Sequence, residues 1–244
     1  MVRVLAFDTA TPVCAVAITE GSRIRGRVAA SLTLGGLTHS RRLLASIDQL
    51  MRALEIGWHD LDGIAVGTGP GSFTGLRIGM ATAKGLAFAA GLPLLGFSTL
   101  DVIAAGAPLP PPGSCLCATV DARKKEVYAC FYSAVDGRVE AEGEPVVLGP
   151  KELAKSVDKE VLFVGDGARL YDRLLSEEVP GRARFAPAQY NLPSAEVLGF
   201  LGAEQLERDG GGASAEVLPC YVRKSDAELN LARKKREECG DSTA

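Results

Sequence analysis

Apolar, β-prone residues run from 2 to 7 and from 14 to 19 on either side of Asp8-Thr9-Ala10-Thr11-Pro12, and Glu20-Gly21-Ser22 turns the chain toward a third run near 23–30. Short strands joined by polar turns predict an antiparallel meander. The period then changes. Leu43, Leu44, Ile47, Leu50, Met51 and Leu54 fall within an arc of about 120° at 100° per residue, the mark of an amphipathic helix. It is expected near 39–56, capped by Thr38 or Ser40 and ended by Gly57. Ile64-Ala65-Val66 reads as a short buried strand that feeds Gly67 to Ser72, after which a second helix runs from 73 to about Ala90. Between Leu76 and Ala90 that helix carries only Arg77 and Lys84, seven residues apart and hence on one edge. A helix so apolar is expected to be covered on more than one side.

A strand at 93–97 and a helix near 99–106 lead to the proline-rich stretch 108–113, the clearest boundary in the chain. The pattern then restarts. Strands are predicted at 115–121 and 126–134, with a turn at Asp136-Gly137 and more β structure at 138–148. A helix at 150–157, a strand at 161–165, helices at 168–177 and 194–208, and a last strand at 216–222 beyond Gly210 to Gly212 complete it. The fold class is therefore α/β, in two similar halves, 1–107 and 108–224, each opening with a β-meander, followed by a charged tail at 225–244. That order predicts a duplicated, two-lobed architecture rather than a Rossmann sheet.

Composition narrows the function. The 244 residues are 47% hydrophobic and 23% charged with a net charge of −3, so the chain lacks the broad basic field that grips a phosphate backbone unaided. Six cysteines lie scattered without a CxxC pair, which favours reduced, buried thiols. Residues 1–8 hold too few apolar positions for a signal-peptide core. The charge-free stretches 85–100 and 102–120 are broken by Gly91, Pro93 and Pro108 to Pro112, so neither is expected to span a membrane. A cytoplasmic protein is expected.

Three features carry candidate chemistry. The turn made by Gly69, Gly71, Ser72, Thr74, Gly75 and Arg77 has the glycines and hydroxyls of an anion-binding helix start, yet no G-x-G-x-x-G register or Walker sequence runs through it. It is either such a site or a tight strand-to-helix turn. Gly75, Gly79, Ala83 and Ala87 form a small-residue row that lets a backbone come close, belonging either to the chain's own sheet or to a partner. Asp8, Thr9 and Thr11 resemble the first phosphate loop of actin-like and sugar-kinase-like ATPases, with Ala10 where glycine is usual; its methyl would crowd a phosphate, so the loop reads as degenerate. No metal site is expected, because His39 and His59 are twenty residues apart. Asp121 to Tyr128 reads as a salt-bridged hairpin turn. An autonomous ATPase or kinase working through Asp8 is the rival to a binding role.

Phe7 to Thr11, Thr38 to Leu44, Gly69-Pro-Gly-Ser-Phe-Thr-Gly-Leu-Arg-Ile-Gly79, Ala83 to Leu86, Asp121 to Arg123 with Glu126 to Tyr128, Gly165 to Gly167 and Pro219 to Arg223 together resemble the bacterial TsaB (YeaZ) family, over residues 1 to about 228. The resemblance implies an actin-like, Hsp70-like two-lobed ATPase fold. It also implies a non-catalytic subunit without a cofactor that pairs with its paralogue TsaD and is joined by the ATPase TsaE. TsaD carries the metal and the threonylcarbamoyl transfer to adenosine 37 of tRNAs reading codons that begin with A, so tRNA is met through the complex. It places the association surface on the helices at 39–56 and 73–90, expected to present His39, Arg42, Leu43, Ile47, Leu50, Met51, Leu54, Leu76, Gly79, Met80, Ala83 and Ala87, and to support a homodimer when TsaD is absent. On that placement Gly79→Leu or Ala83→Glu should block association while the monomer stays folded.

Overall fold

The computed structural model describes residues 1–36, 39–209 and 217–223, with the side chains of residues 39–41 outside that description. Strands β1 (Arg3–Asp8), β2 (Val13–Glu20) and β3 (Arg27–Gly35) form the expected antiparallel meander. The third strand begins later than the 23–30 expected. Helix α1 (His39–Ala53) leads to β4 (Gly63–Gly67), which lies parallel to β1. Helix α2 (Phe73–Ala90) leads to β5 (Leu94–Phe97), parallel to β4. Helix α3 (Thr99–Gly106) closes this half. The first sheet thus runs β3-β2-β1-β4-β5.

The second half repeats the plan. Strands β6 (Cys115–Asp121), β7 (Val127–Val135) and β8 (Arg138–Ala141) make a second meander, and β9 (Val146–Leu148) pairs with β7 beyond β8, so β8 and β9 share the place that β3 holds alone. After α4 (Pro150–Lys155), β10 (Val161–Val164) lies parallel to β6. Helices α5 (Asp166–Leu170) and α6 (Asp172–Glu178) stand where one helix was expected, and β11 (Ala183–Phe185) adds a parallel edge strand that the sequence pattern did not announce. The last helix is α7 (Ala195–Asp209). The second sheet, β11-β10-β6-β7-β8, has the order of the first.

Each sheet is covered on both faces, which is why β2 is buried along its whole length and reads as a continuous apolar run. Leu5 and Phe7 of β1 point toward Leu43, Ile47 and Met80 of α1 and α2, while Val4 and Ala6 point the other way, toward Leu198 and Ala203 of α7. The halves exchange their last helices. Helix α3 packs Leu100 and Ile103 on the second sheet against Leu116 and Ala118, and α7, from the second half, covers the first sheet. A cut at residue 107 therefore divides the sheets but not the helices that pack on them.

Two further expectations give way. The helix at 39–56 ends at Ala53, leaving Leu54 in the following turn, where it still packs on the core. Residues 217–221 are not a strand; they form an extended strap whose Cys220 N–H donates to the Thr68 carbonyl at 2.8 Å. Thr38, the Gly210–Gly212 linker and the tail at 225–244 lie outside the described residues.

Helix α7 reaches the sheet because glycines face it. A Cβ on Gly199 would lie 2.5 Å from Thr19 Oγ1, and one on Gly202 would lie 3.0 Å from the Ala65 methyl. Gly199→Leu is expected to overpack this contact by ~1–3 kcal/mol, more than the helix propensity it adds. At about 2–4 °C per kcal/mol for a chain of this size, the melting temperature should fall by several degrees in thermal unfolding followed by circular dichroism. An unchanged value would mean that α7 does not sit against β2 as described.

Candidate functional site

The end of β1 and the start of α2 meet at one compact junction. Asp8 is fully buried; its Oδ1 accepts the Ala10 N–H at 2.7 Å and its Oδ2 accepts the Thr99 hydroxyl at 2.9 Å. Thr9 Oγ1 donates to the Gly75 carbonyl at 2.8 Å, and the Ser72 N–H donates to the Ala10 carbonyl at 2.6 Å. The glycines of the turn permit this approach. A Cβ on Gly67 would overlap the Asp8 carboxylate, one on Gly71 the Ala10 carbonyl oxygen, and one on Gly75 the Thr9 carbonyl oxygen. Gly69 joins Pro70 through a cis peptide at φ 94° and lends its carbonyl to the Thr99 N–H at 2.7 Å. Ser72 caps α2 by accepting the Gly75 N–H at 3.3 Å. Of the two readings left open for this segment, the structure supports the tight strand-to-helix turn. Its backbone closes over Asp8, Thr9 and Ala10.

The partner surface expected from the two helices needs correction residue by residue. Leu43, Ile47, Leu50, Met51, Leu76, Met80, Ala83 and Ala87 are all buried in the chain's own core, and Leu54 is partly buried against it. Gly75 and Gly79 face inward too, since a Cβ on Gly79 would meet Thr9 Oγ1. The small-residue row thus serves the chain's own sheet. Arg42 alone of the expected set is exposed, its guanidinium donating to the Gly35 carbonyl at 3.1 Å, while the His39 side chain lies outside the described residues.

What α2 turns outward is a second row that the spacing did not single out. Ala81, Gly85 and Ala89 are exposed at intervals of four, no described residue lies within 4 Å of a Cβ built on Gly85, and Phe88 beside them is 92% exposed. On α1, Leu44, included in the apolar arc, is 55% exposed. Among the described residues, the cover demanded by an apolar α2 comes from the sheet and from α1 and leaves this outer face open.

The junction has a counterpart in the second half. Asp121 ends β6 as Asp8 ends β1, and its N–H donates to Asp166 Oδ1 at 2.9 Å. A Cβ on Gly165 would overlap the Thr119 carbonyl oxygen, as one on Gly67 would overlap Asp8. Burial pushes the Asp166 carboxyl above its ordinary value, with the Asp121 N–H acting against the rise. Arg123 pairs with Asp121 at 3.1 Å, the ion pair expected of this hairpin turn. Among the described residues no three metal-ligating side chains gather, and no helix is long and apolar enough to cross a membrane.

Comparison with known proteins bears on this geometry. The family model described as TsaD, tRNA N6-adenosine threonylcarbamoyltransferase, matches residues 34–231. The tRNA threonylcarbamoyladenosine biosynthesis protein TsaB of Escherichia coli is 31% identical over 236 residues, covering 95% of this chain and 99% of that one. YeaZ from Pseudomonas aeruginosa superposes with a TM-score of 0.72 at 33% identity, covering 91% of this chain and all of that one. At 12% identity and a TM-score of 0.51, the 2-hydroxyisocaproyl-CoA dehydratase activator of Clostridium difficile, solved with ADPNP, shares the actin-like ATPase fold over 87% of this chain.

Two outcomes test the junction. Gly79→Leu is expected to lower stability rather than to block association selectively, because the new side chain enters the Thr9 contact; a variant with an unshifted melting temperature would contradict this placement. Burial holds the Asp8 carboxyl above its ordinary value of 3.8, against the pull of the Ala10 N–H and the Thr99 hydroxyl. The folded chain therefore keeps this proton more tightly than the unfolded one. Its contribution is most favourable below the ordinary value and is lost as pH rises through the raised one. Denaturant titrations at stepped pH should show that loss in the native chain and not in Asp8→Asn.

Proposed function

Because the chain belongs to the TsaB (YeaZ) family, we propose that it is the non-catalytic scaffold of the complex that places the threonylcarbamoyl group on adenosine 37 of tRNAs reading codons that begin with A. Its part in tRNA threonylcarbamoyladenosine biosynthesis follows from that membership. In the finer reading it acts in the cytoplasm, without a cofactor of its own. It pairs with the paralogue TsaD, which does the chemistry, and is joined by the ATPase TsaE; without TsaD it forms a homodimer.

The observation that carries this reading is the outward face of α2. A phenylalanine 92% exposed beside a row of Ala81, Gly85 and Ala89 is a shape that another helix can approach closely. Arg42 and Leu44 of α1, the helix packed beside α2, are exposed as well. A buried aromatic anchor surrounded by small residues is the usual energetic centre of such an interface. The burial of Asp8 argues in the same direction, since an ATPase or kinase working through that carboxylate would have to displace the start of α2.

Phe88→Glu is the decisive variant. It is expected to weaken association with TsaD at least about thirtyfold, as loss of a central anchor does, and to leave the melting temperature of the isolated chain nearly unchanged because the side chain touches little of its own fold. Depletion of the protein should lower threonylcarbamoyladenosine in tRNA, restored by the native chain and not by Phe88→Glu. Full association of the variant with TsaD would remove α2 from the interface.

A further inference from the structure

A cavity of about 580 Å³ opens between the two lobes, beside the Gly71-Ser72 turn that packs on Ala10 and away from the Phe88 end of α2. Its walls are the first turn of α2, the turn after β6, and the strap at 220–223. Its charge is opposite to that of the chain. Arg77, Arg123, Lys124 and Arg223 line it against the single carboxylate of Asp121, in a protein of net charge −3. Arg123 is paired with Asp121, and Arg223 is held to Glu126 and to the Ala122 carbonyl. The Arg77 guanidinium lies 3.9 Å from the Phe73 ring centroid, and Phe73 in turn lies 5.4 Å from Tyr221 at 41°.

The two rings are 39% and 47% exposed. Exposed rings beside exposed cations suit a flat ring that carries a phosphate: base stacking on aromatic faces is tolerant of sequence, and guanidinium or ammonium groups meet the neighbouring phosphates. The start of an 18-residue helix adds positive potential at the same wall. Arg123, Lys124 and Lys125 all have left-handed backbone, with φ of 61°, 53° and 63°, and all are exposed, so the positive charge continues past the mouth of the cavity. A single small anion would use neither the rings nor that extension. A strand would use both.

We propose that this interlobe cleft receives one unstacked nucleotide of an RNA strand, its base against Tyr221 and Phe73 and its flanking phosphates against Arg77 and Lys124. The inference deepens the reading of the chain as a subunit of a tRNA-modifying complex by giving that subunit a direct contact with the RNA.

The test uses the full chain, alone and in complex with TsaD, and a fluorescent anticodon stem-loop RNA followed by anisotropy at several salt concentrations. Tyr221→Ala should weaken stem-loop binding about tenfold while Tyr221→Phe retains it. Arg77→Ala and Lys124→Ala should each weaken binding and flatten its logarithmic salt dependence by about 0.7. A blunt RNA duplex should be insensitive to Tyr221→Ala. Stem-loop binding unmoved by these variants in chains that still melt normally overturns the inference. So does displacement of the RNA by AMP, ATP or polyglutamate at comparable concentration, which would make the cleft a site for a free nucleotide or an acidic peptide. Association with TsaD, measured on the same samples, separates the two readings: intact association with unmoved RNA binding sinks only this inference, and lost association with variant-sensitive RNA binding sinks only the scaffold.

Discussion

The contact between Thr9 and Gly75 sets the geometry of the first lobe. The Thr9 hydroxyl donates to the Gly75 carbonyl, and the Thr9 carbonyl occupies the place a Gly75 side chain would need. Helix α2 is thereby drawn down onto the turn between β1 and β2. Everything nearby follows from that closeness: Asp8 loses its access to water, Thr99 from α3 becomes its hydrogen-bond partner, and the small row of α2 is spent on internal packing. The space beside Asp8 and Thr9 is filled by the protein's own backbone. Burying a carboxylate in this way is unfavourable unless its oxygens are satisfied, and here the Ala10 N–H and the Thr99 hydroxyl satisfy one each.

The duplication explains how the same plan yields two different ends. Both sheets run in one order and both place an aspartate at the end of the first strand of the meander. In the first half the following helix is long and its glycines let it close over that aspartate. In the second half the equivalent segment is broken into α5 and α6, and the aspartate looks toward a basic turn and the interlobe space. The open end of the molecule is therefore the one that gathers cations.

Much of this architecture was legible in the chain. The meanders, the long helices and the restart after the prolines are carried by hydrophobic period, which local sequence encodes directly. Three things were not. The phase of α2 was left open because Gly75-Gly79-Ala83-Ala87 and Ala81-Gly85-Ala89 are both small-residue rows with a step of four; the depth of Thr9 beneath the first row decides which faces in. The exchange of α3 and α7 between the sheets depends on tertiary contacts to which periodicity is blind, those of α7 with β1, such as Leu198 with Val4, joining residues nearly two hundred apart. The strap at 217–221 has the β-prone residues of a strand, but its pairing is limited to isolated contacts such as Cys220 with Thr68, so no ladder forms. The cleft itself had no local signature, since its walls come from three distant segments. The Phe73-Arg77 spacing of one helical turn and the basic run at 123–125 were the only traces of it in sequence.

The strap also constrains what the lobes can do. Val217 packs against Gly96 and Cys220 bonds to Thr68 on the first lobe, while Arg223 bonds to Ala122 and Glu126 on the second. Together with the exchanged helices, it ties the halves to each other at three places. A subunit whose task is to present a fixed helix face to a partner gains from keeping these ties, because each element held rigid before association is one whose ordering need not be repaid from the interface.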